Sequence, residues 1–403
     1  MANDPTTETS PVEHLGPRPT LMPRALTILL GLAAATIAAQ AIQPIQSTLA
    51  SAFLALNIVI VVWPVQRWLV KYVPRFLAAL VAGILSIAIL VALVGSVGWT
   101  ITRLIQTLPQ YSGKFTALVN QLGDYLVRLR DNNQLVQQIW SQLAQFNFTS
   151  LLGPLQSLGS GISGLVGFLV TIILILIFMV VDSADFSDRM RRLGERHNPT
   201  LAWALASFAS GTRKYWVVTT VFGLTVALGN WGLLAILGVP LALVWALLSF
   251  VSNYIPYVGF VIGLVPPAIM ALLANDPWTA LWVVIGYCVI NVVFNVLIMP
   301  KFTGDAVGIT PTMAVLSLLI WAYVLGPFGA ILAIPSTLLM KTLLIDIDPE
   351  TRWLNAFIAS NPTTSDQDPV HLSRLLARAK SMRKSYAKDG VEAHEPPTDP
   401  SDQ

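Results

Sequence analysis

Residues 240–274 read PLALVWALLSFVSNYIPYVGFVIGLVPPAIMALLA, an apolar block without one charged side chain. About 20 apolar residues carry a helix across the hydrocarbon core of a bilayer, so this block is too long for one ordinary span. Its middle, Asn253-Tyr-Ile-Pro256-Tyr-Val-Gly259, also interrupts a helical hydrogen-bond ladder. Block 310–344 repeats the design, with Gly326-Pro327-Phe-Gly329 at its centre. Non-helical backbone at membrane depth is tolerated only where protein or a water-filled cavity satisfies its polar groups. Each block is therefore either one long kinked span or a pair of half-helices forming a re-entrant hairpin.

The surroundings of both blocks are equally apolar. From Trp216 to Met340 the only charged side chains are Asp276, Lys301 and Asp305, a depletion that no water-exposed domain shows. Over all 403 residues the chain is 55% hydrophobic and 11% charged, against about 25% charged in soluble domains. Further candidate spans fall at 25–43, 48–70, 75–100, 158–181, 217–238 and 278–299. The fold class is all-α and polytopic, with about eight membrane-inserted segments.

Charge sets the expected orientation. With hairpins, Asn275-Asp276 faces outward and Lys301 faces the cytoplasm; with single kinked spans the two positions exchange. The positive-inside tendency favours hairpins. All but four of the 24 Lys and Arg then lie on the cytoplasmic side, and the exceptions are Arg103, Lys114, Arg128 and Arg130. Both termini are expected in the cytoplasm of a cell with an inner membrane. The net charge of +3 is what cytoplasmic loops of a membrane protein collect, and no nucleic-acid partner is implied.

The chain divides into a polar N-terminus (1–24), three early helices (25–100), an extracytoplasmic segment (101–157), a transmembrane core (158–345) that holds both broken blocks, and a cytoplasmic tail (346–403). The N-terminus and the acidic end of the tail have the composition of disordered chain. Segment 101–157 carries Phe115, Leu118, Val119, Leu122, Tyr125, Leu126 and Leu129 at helical spacing, then a second run from Leu135 to Leu143. These helices lie on the membrane or pack against neighbouring subunits, and packing is the better reading. The tail sets Leu372, Leu375, Leu376, Ala379, Met382 and Tyr386 beside five basic residues, either a surface-lying or a solvated helix. Truncation after about Asp348 is expected to spare the transport fold.

No enzyme motif is visible. The four histidines are scattered and the single Cys288 sits in an apolar run, so no disulfide within a protomer, metal site or cofactor is expected. Intramembrane polar residues are better pointers, because they are costly in lipid and face a cavity or a partner. They are Asn230, Asn253, Asn291, Asn295, Thr310 and Thr312. For any one asparagine an interhelical hydrogen bond is the simpler role. Asn253 adjoins a chain break and Asn295 precedes Pro300, and broken helix ends expose backbone dipoles that hold ions or solutes. Gly159-Ser-Gly161-Ile-Ser-Gly164-Leu-Val-Gly167 reads as a site of close helix packing, and Asp182 as an interfacial charged residue ending a span.

The C-terminal half resembles a known family. Tyr254-Ile-Pro256-Tyr257-Val-Gly259, Pro300-Lys-Phe-Thr-Gly304, Thr310-Pro311 and Gly326-Pro-Phe-Gly329 followed by Pro335 are similar, in order and spacing, to motifs of the autoinducer-2 exporter family. The resemblance covers about residues 25–345. It implies a homo-oligomeric, non-enzymatic secondary transporter that exports a small signalling solute, or in some relatives exchanges sodium for protons. Pro256, Tyr257, Gly259, Pro300, Gly304, Pro311, Gly326 and Gly329 join Asn253, Asn291, Asn295 and Thr310 as candidate substrate or ion-binding residues. One departure bears on mechanism. The family carries Glu-Asn before the P-x-x-x-G element, whereas this chain has Phe294-Asn295, which weakens cation exchange relative to transport of a neutral solute. A channel or a membrane scaffold is the remaining alternative.

Overall fold

The computed structural model describes residues 24–128, 162–196, 199–298, 309–347, 351 and 354–358. The N-terminal leader, the run 135–143, residues Pro300 to Gly304 with Lys301, and the tail stripe 372–386 lie outside the described residues.

Nearly every described residue is helical, as an apolar chain without water partners for its backbone must be. In chain order the helices are α1 (Arg24–Ile42), α2 (Gln46–Leu69), α3 (Arg75–Thr107), α4 (Ser112–Arg128), α5 (Ile162–Arg196) and α6 (Pro199–Ile236). They continue as α7 (Ala242–Ser252), α8 (Val258–Ala274), α9 (Pro277–Asn291), α10 (Pro311–Leu325), α11 (Pro327–Ile331), α12 (Ala333–Lys341) and α13 (Asn355–Ile358). Two π segments, Val292–Ile298 and Thr342–Asp346, extend α9 and α12. Among the described residues, five helical stretches are long and apolar enough to cross a membrane.

Boundaries differ from the expected spans in two places. Only the 3-10 turn Gln43–Ile45 separates α1 from α2, and the apolar run Leu29–Leu69 is helical throughout. Beyond the end of the apolar span at Asp182, α5 continues as a helix to Arg196, and α6 begins at Pro199. Charge does not break a helix, since Arg and Glu are good helix formers. The next helix starts where proline fits the first helical turn.

Helices α2, α3 and α5 share one core. Ala55, Val59 and Val62 pack against Ala79, Ala82 and Leu90 and against Ile172, Leu176 and Val180. The Ser183 hydroxyl donates to Gln66 Oε1 at 2.7 Å and fixes the register of α5 on α2. The close packing expected at Gly164 and Gly167 is not found within the chain, because nothing approaches within 4 Å of a Cβ placed there. Helix α6 is tied to α2 by Trp216 Nε1, which donates to Asn57 Oδ1 at 2.8 Å, and by Arg213 Nε, which donates to the Ile60 carbonyl at 3.1 Å.

Both broken blocks fold back on themselves. In the first, α8 returns along α7: a Cβ on Gly259 would lie 1.8 Å from the Ser252 carbonyl oxygen, and one on Gly263 would lie 3.3 Å from Ser249 Cα. Tyr257 turns the chain with a left-handed φ of 62°. In the second block, the Ser317 hydroxyl donates to the Ala333 carbonyl at 2.8 Å, Trp321 Nε1 donates to Thr337 Oγ1 at 2.9 Å, and Ser317 also bonds Thr337. Gly326 makes the turn with φ 70° and ψ −157°. A Cβ on Gly329 would lie 1.8 Å from the Trp321 carbonyl oxygen. The same close approach therefore closes each hairpin, and only glycine permits it.

The hairpins come to α6 from opposite ends. The base of the first packs with Leu234 and Val239 at the C-terminal end of α6, together with Leu104 of α3. Its tip reaches Tyr215, whose hydroxyl donates to the Tyr254 carbonyl at 3.4 Å. The second presents Ala314, near its base, and Leu338 to that same Tyr215. The residues after it dock there too, since Thr310 N donates to the Ile358 carbonyl at 3.0 Å and Asn355 Nδ2 donates to Asp346 Oδ1 at 3.3 Å.

Candidate functional site

A polar pocket lies where the tip half of the first hairpin meets α6 and α9. Val226 and Asn230 come from α6, Ser249 and Asn253 from α7 and its end, Gly259 and Phe260 from α8, and Tyr287 and Asn291 from α9. Its volume is about 10 Å³, close to the minimum that holds one water molecule. Glycine creates the approach here as well. A Cβ on Gly223 would lie 2.9 Å from Asn253 Nδ2, and one on Gly286 would lie 2.4 Å from Leu233 Cδ2.

Among the described residues the polar groups are ordered but incompletely satisfied. Asn230 Nδ2 donates to Ser249 Oγ at 2.8 Å, while its Oδ1 has no hydrogen-bond partner. The Tyr287 hydroxyl, on a residue only 2% exposed, has none either. Asn295 Nδ2 donates to Asn291 Oδ1, leaving Asn295 Oδ1 unpartnered. Each buried polar group left in this state costs about 1–3 kcal/mol. Asn230 and Tyr287 line the cavity, which has room for about one water, and Asn295 adjoins it through Asn291. Asn295 stands in the π segment that follows Asn291. Single π turns within α-helices concentrate at functional sites.

No charged side chain lines the pocket, and among the described residues no group of His, Cys, Asp or Glu could hold a metal ion. The chemistry on offer is that of neutral amide oxygens and one phenol. They suit a solute with hydroxyl groups, which donates to the amides and accepts from the tyrosine.

The candidates read from the sequence distribute unevenly. Asn253, Gly259 and Asn291 line the pocket, and Asn295 adjoins it through Asn291. Pro256 and exposed Tyr257 form the hairpin turn without lining the pocket. Thr310 caps α10, its hydroxyl accepting from Met313 N at 3.4 Å, with Pro311 at the first helical position. Gly326 and Gly329 serve the second hairpin, and Gly326 faces the Gln46 side chain instead of the pocket. Pro300 and Gly304 lie outside the described residues. Asn230 was readable as intramembrane polar. Tyr287 and Ser249 were not singled out, although Tyr287, Asn291 and Asn295 recur every four residues, the spacing that puts side chains on one helix face.

Long apolar helices, two broken blocks that both pack on one long helix, and a polar cavity beside the first of those blocks define a polytopic membrane transporter. The chain belongs to the AI-2E family transporters, whose family description matches residues 26–348. It is 30% identical over 295 residues to the "AI-2 transport protein TqsA" of Escherichia coli (strain K12), covering 72% of this chain and 83% of that protein. It is 28% identical over 319 residues to the "Putative transport protein YhhT" of the same organism, covering 78% and 89%. With the "Putative transport protein YrrI" of Bacillus subtilis (strain 168) it shares 24% identity over 303 residues, covering 70% and 81%.

Proposed function

We propose that the protein is a non-enzymatic secondary transporter that exports a small neutral, hydroxyl-bearing solute of the autoinducer-2 type across the bacterial inner membrane. The observation that carries this reading is the group of unpartnered polar atoms, Asn230 Oδ1, Tyr287 OH and Asn295 Oδ1, beside the break of the first hairpin. Similarity to a protein named as an AI-2 transport protein supports the choice of solute. The pocket holds about one water in this conformation, so a solute enters only when the hairpin moves away from α6 and α9. The two broken blocks move against α2, α3 and α5, and both enter the membrane as re-entrant hairpins.

The end carrying Arg67, Lys71, Arg75, Arg189 and Arg192 faces the cytoplasm, with both termini on that side. The protein works as a homo-oligomer, as its family resemblance implies. Sodium/proton exchange is less favoured, because Phe294 stands where the family carries an acidic residue and no carboxylate lines the pocket.

The test is efflux from proteoliposomes loaded with autoinducer-2 and with sugars of similar size, under imposed proton or sodium gradients. Saturable efflux of the signalling solute, dependent on a gradient, is expected. Flux without saturation or coupling would make the protein a channel, and no flux of any solute would make it a scaffold.

A further inference from the structure

A second cavity, of about 1120 Å³, lies between α2, α5 and α6 at the end where Arg67 closes α2. It is distinct from the pocket beside the first hairpin and exceeds the roughly 300–1,000 Å³ of ordinary small-molecule sites. One wall is hydrocarbon, built from Leu56, Val59, Ile60, Met179, Leu205 and Ala209. Three arginines, Arg67, Arg189 and Arg213, line it as well, and among the described side chains Asp182 is the one carboxylate there.

The arginines are arranged as a receptor for an anion. The guanidinium carbons of Arg67 and Arg213 each lie 5.3 Å from the centroid of one ring, Trp63. A shared indole places both guanidinium groups at one wall of the cavity. Among the described residues none of the three arginines is ion-paired. Arg213 spends only its Nε, on the Ile60 carbonyl at 3.1 Å, and its terminal N–H groups keep the fork geometry that receives phosphate in bidentate fashion. The Ser183 to Gln66 hydrogen bond holds α5 on α2 along this wall, so the cavity is preformed.

We propose that this cavity binds an anionic phospholipid from the bilayer, its phosphate held by Arg67, Arg189 and Arg213 and its acyl chain laid against α2, α5 and α6. The two chemistries in one cavity select the occupant: a free anion leaves the hydrocarbon wall uncovered, and a zwitterionic lipid leaves the net positive charge unanswered. Basic pockets between membrane helices take anionic headgroups on these grounds. Because α6 leads directly into the first hairpin, the lipid braces α6 against α2 and α5.

Native mass spectrometry of the purified protein tests this with phosphatidylglycerol, phosphatidylcholine of the same chains, and inorganic phosphate. Wild type should retain phosphatidylglycerol on the order of tenfold more than phosphatidylcholine, with no retention of inorganic phosphate. Arg67→Gln/Arg189→Gln should abolish that preference. Ala206→Trp, which obstructs the cavity wall and leaves every arginine in place, should lower binding of phosphatidylglycerol to the level of phosphatidylcholine. It gives a reading even if the double variant fails to fold. Equal retention of both lipids by wild type would overturn the proposal, as would phosphate bound alone, a preference that survives in both variants, or a second copy of the chain crosslinked from a cysteine at position 206.

Discussion

Asn275 Nδ2 donates to the Gly238 carbonyl at 3.5 Å, joining residues 37 apart in sequence across the two ends of the first broken block. Lys114 of α4 meets the same end, Nζ donating to the Ala274 carbonyl at 3.4 Å. A kinked single span would separate these ends by the thickness of a bilayer. Single cysteines in a background lacking Cys288 therefore have a definite pattern: position 275 should label only from outside the cell and position 301 only from the cytoplasm. The exchanged pattern, position 275 labelling from the cytoplasm and position 301 from outside, would favour kinked spans.

Gly259 and Gly329 each stand where a Cβ would fall 1.8 Å from a backbone oxygen of the opposing leg. Gly259→Ala and Gly329→Ala should each cost about 3 kcal/mol or more, since backbone and not a mobile side chain must move. Gly98→Ala is the control. Nothing lies within 4 Å of its Cβ position, and alanine in a helix should raise stability by about 0.5–1 kcal/mol. Melting temperatures in one detergent compare the three.

Asp276 caps α9, its Oδ1 accepting from Thr279 N at 2.9 Å and its Oδ2 from the Thr279 hydroxyl at 3.0 Å. The Thr279 backbone N–H and then its hydroxyl hold the carboxyl below the usual carboxylate range. A depressed folded-state pKa stabilises above the unfolded value, about 3.9, and this contribution fades as pH falls through the folded value. Asp276→Ala should therefore melt below wild type at pH 7, with the gap narrowing below about pH 4. A gap that grows on acidification would contradict the capping account.

The tail is dispensable only beyond the residues that dock on the second hairpin. Truncation after Ile358 should leave an assembled protein with a wild-type melting temperature. Truncation after Asp348 removes the carbonyl that Thr310 N uses and the Asn355 amide that bonds Asp346. It should cost about 1–2 kcal/mol, an effect that composition alone did not reveal.

What the sequence disclosed follows from how local its signals are. Hydropathy fixed the apolar helices, and proline and glycine marked both chain breaks, because membrane insertion and helix breaking are decided within about twenty residues. The continuation of α5 past Asp182 carries no hydropathy signal, because charge ends an apolar span while leaving helix propensity intact. Asn253, Asn291 and Asn295 stood out as polar residues in lipid. Tyr287 did not, since a tyrosine among Val283, Ile285 and Ile290 has the composition of ordinary packing. Its significance rests on an unpartnered hydroxyl that only the tertiary arrangement exposes. Pairings such as Asn230 with Ser249 join different helices, and no short-range pattern encodes them.

Asn295→Leu separates two roles for the amide beside the pocket. If Asn295 only bridges turns through Asn291, its loss should lower stability by an amount typical of a membrane hydrogen bond, about 0.6 kcal/mol, with flux per molecule preserved. The site role predicts near-normal assembly and flux reduced at least about tenfold, equivalent to 1.4 kcal/mol in the transport barrier. Lost stability with retained flux would remove Asn295 from the site.

The most direct measurement is made on Tyr287→Phe. The tyrosine hydroxyl is buried and bonds no other protein group, so its removal breaks no internal contact and spares one desolvated polar atom. The ring itself stays packed among Leu234, Trp245 and Met270. A residue that merely packs would therefore gain stability or stay unchanged, with full transport. With the pocket as the solute site, the melting temperature should hold or rise while saturable efflux from proteoliposomes falls at least about tenfold. Wild-type efflux by Tyr287→Phe at every solute concentration would contradict the assignment of transport to this pocket.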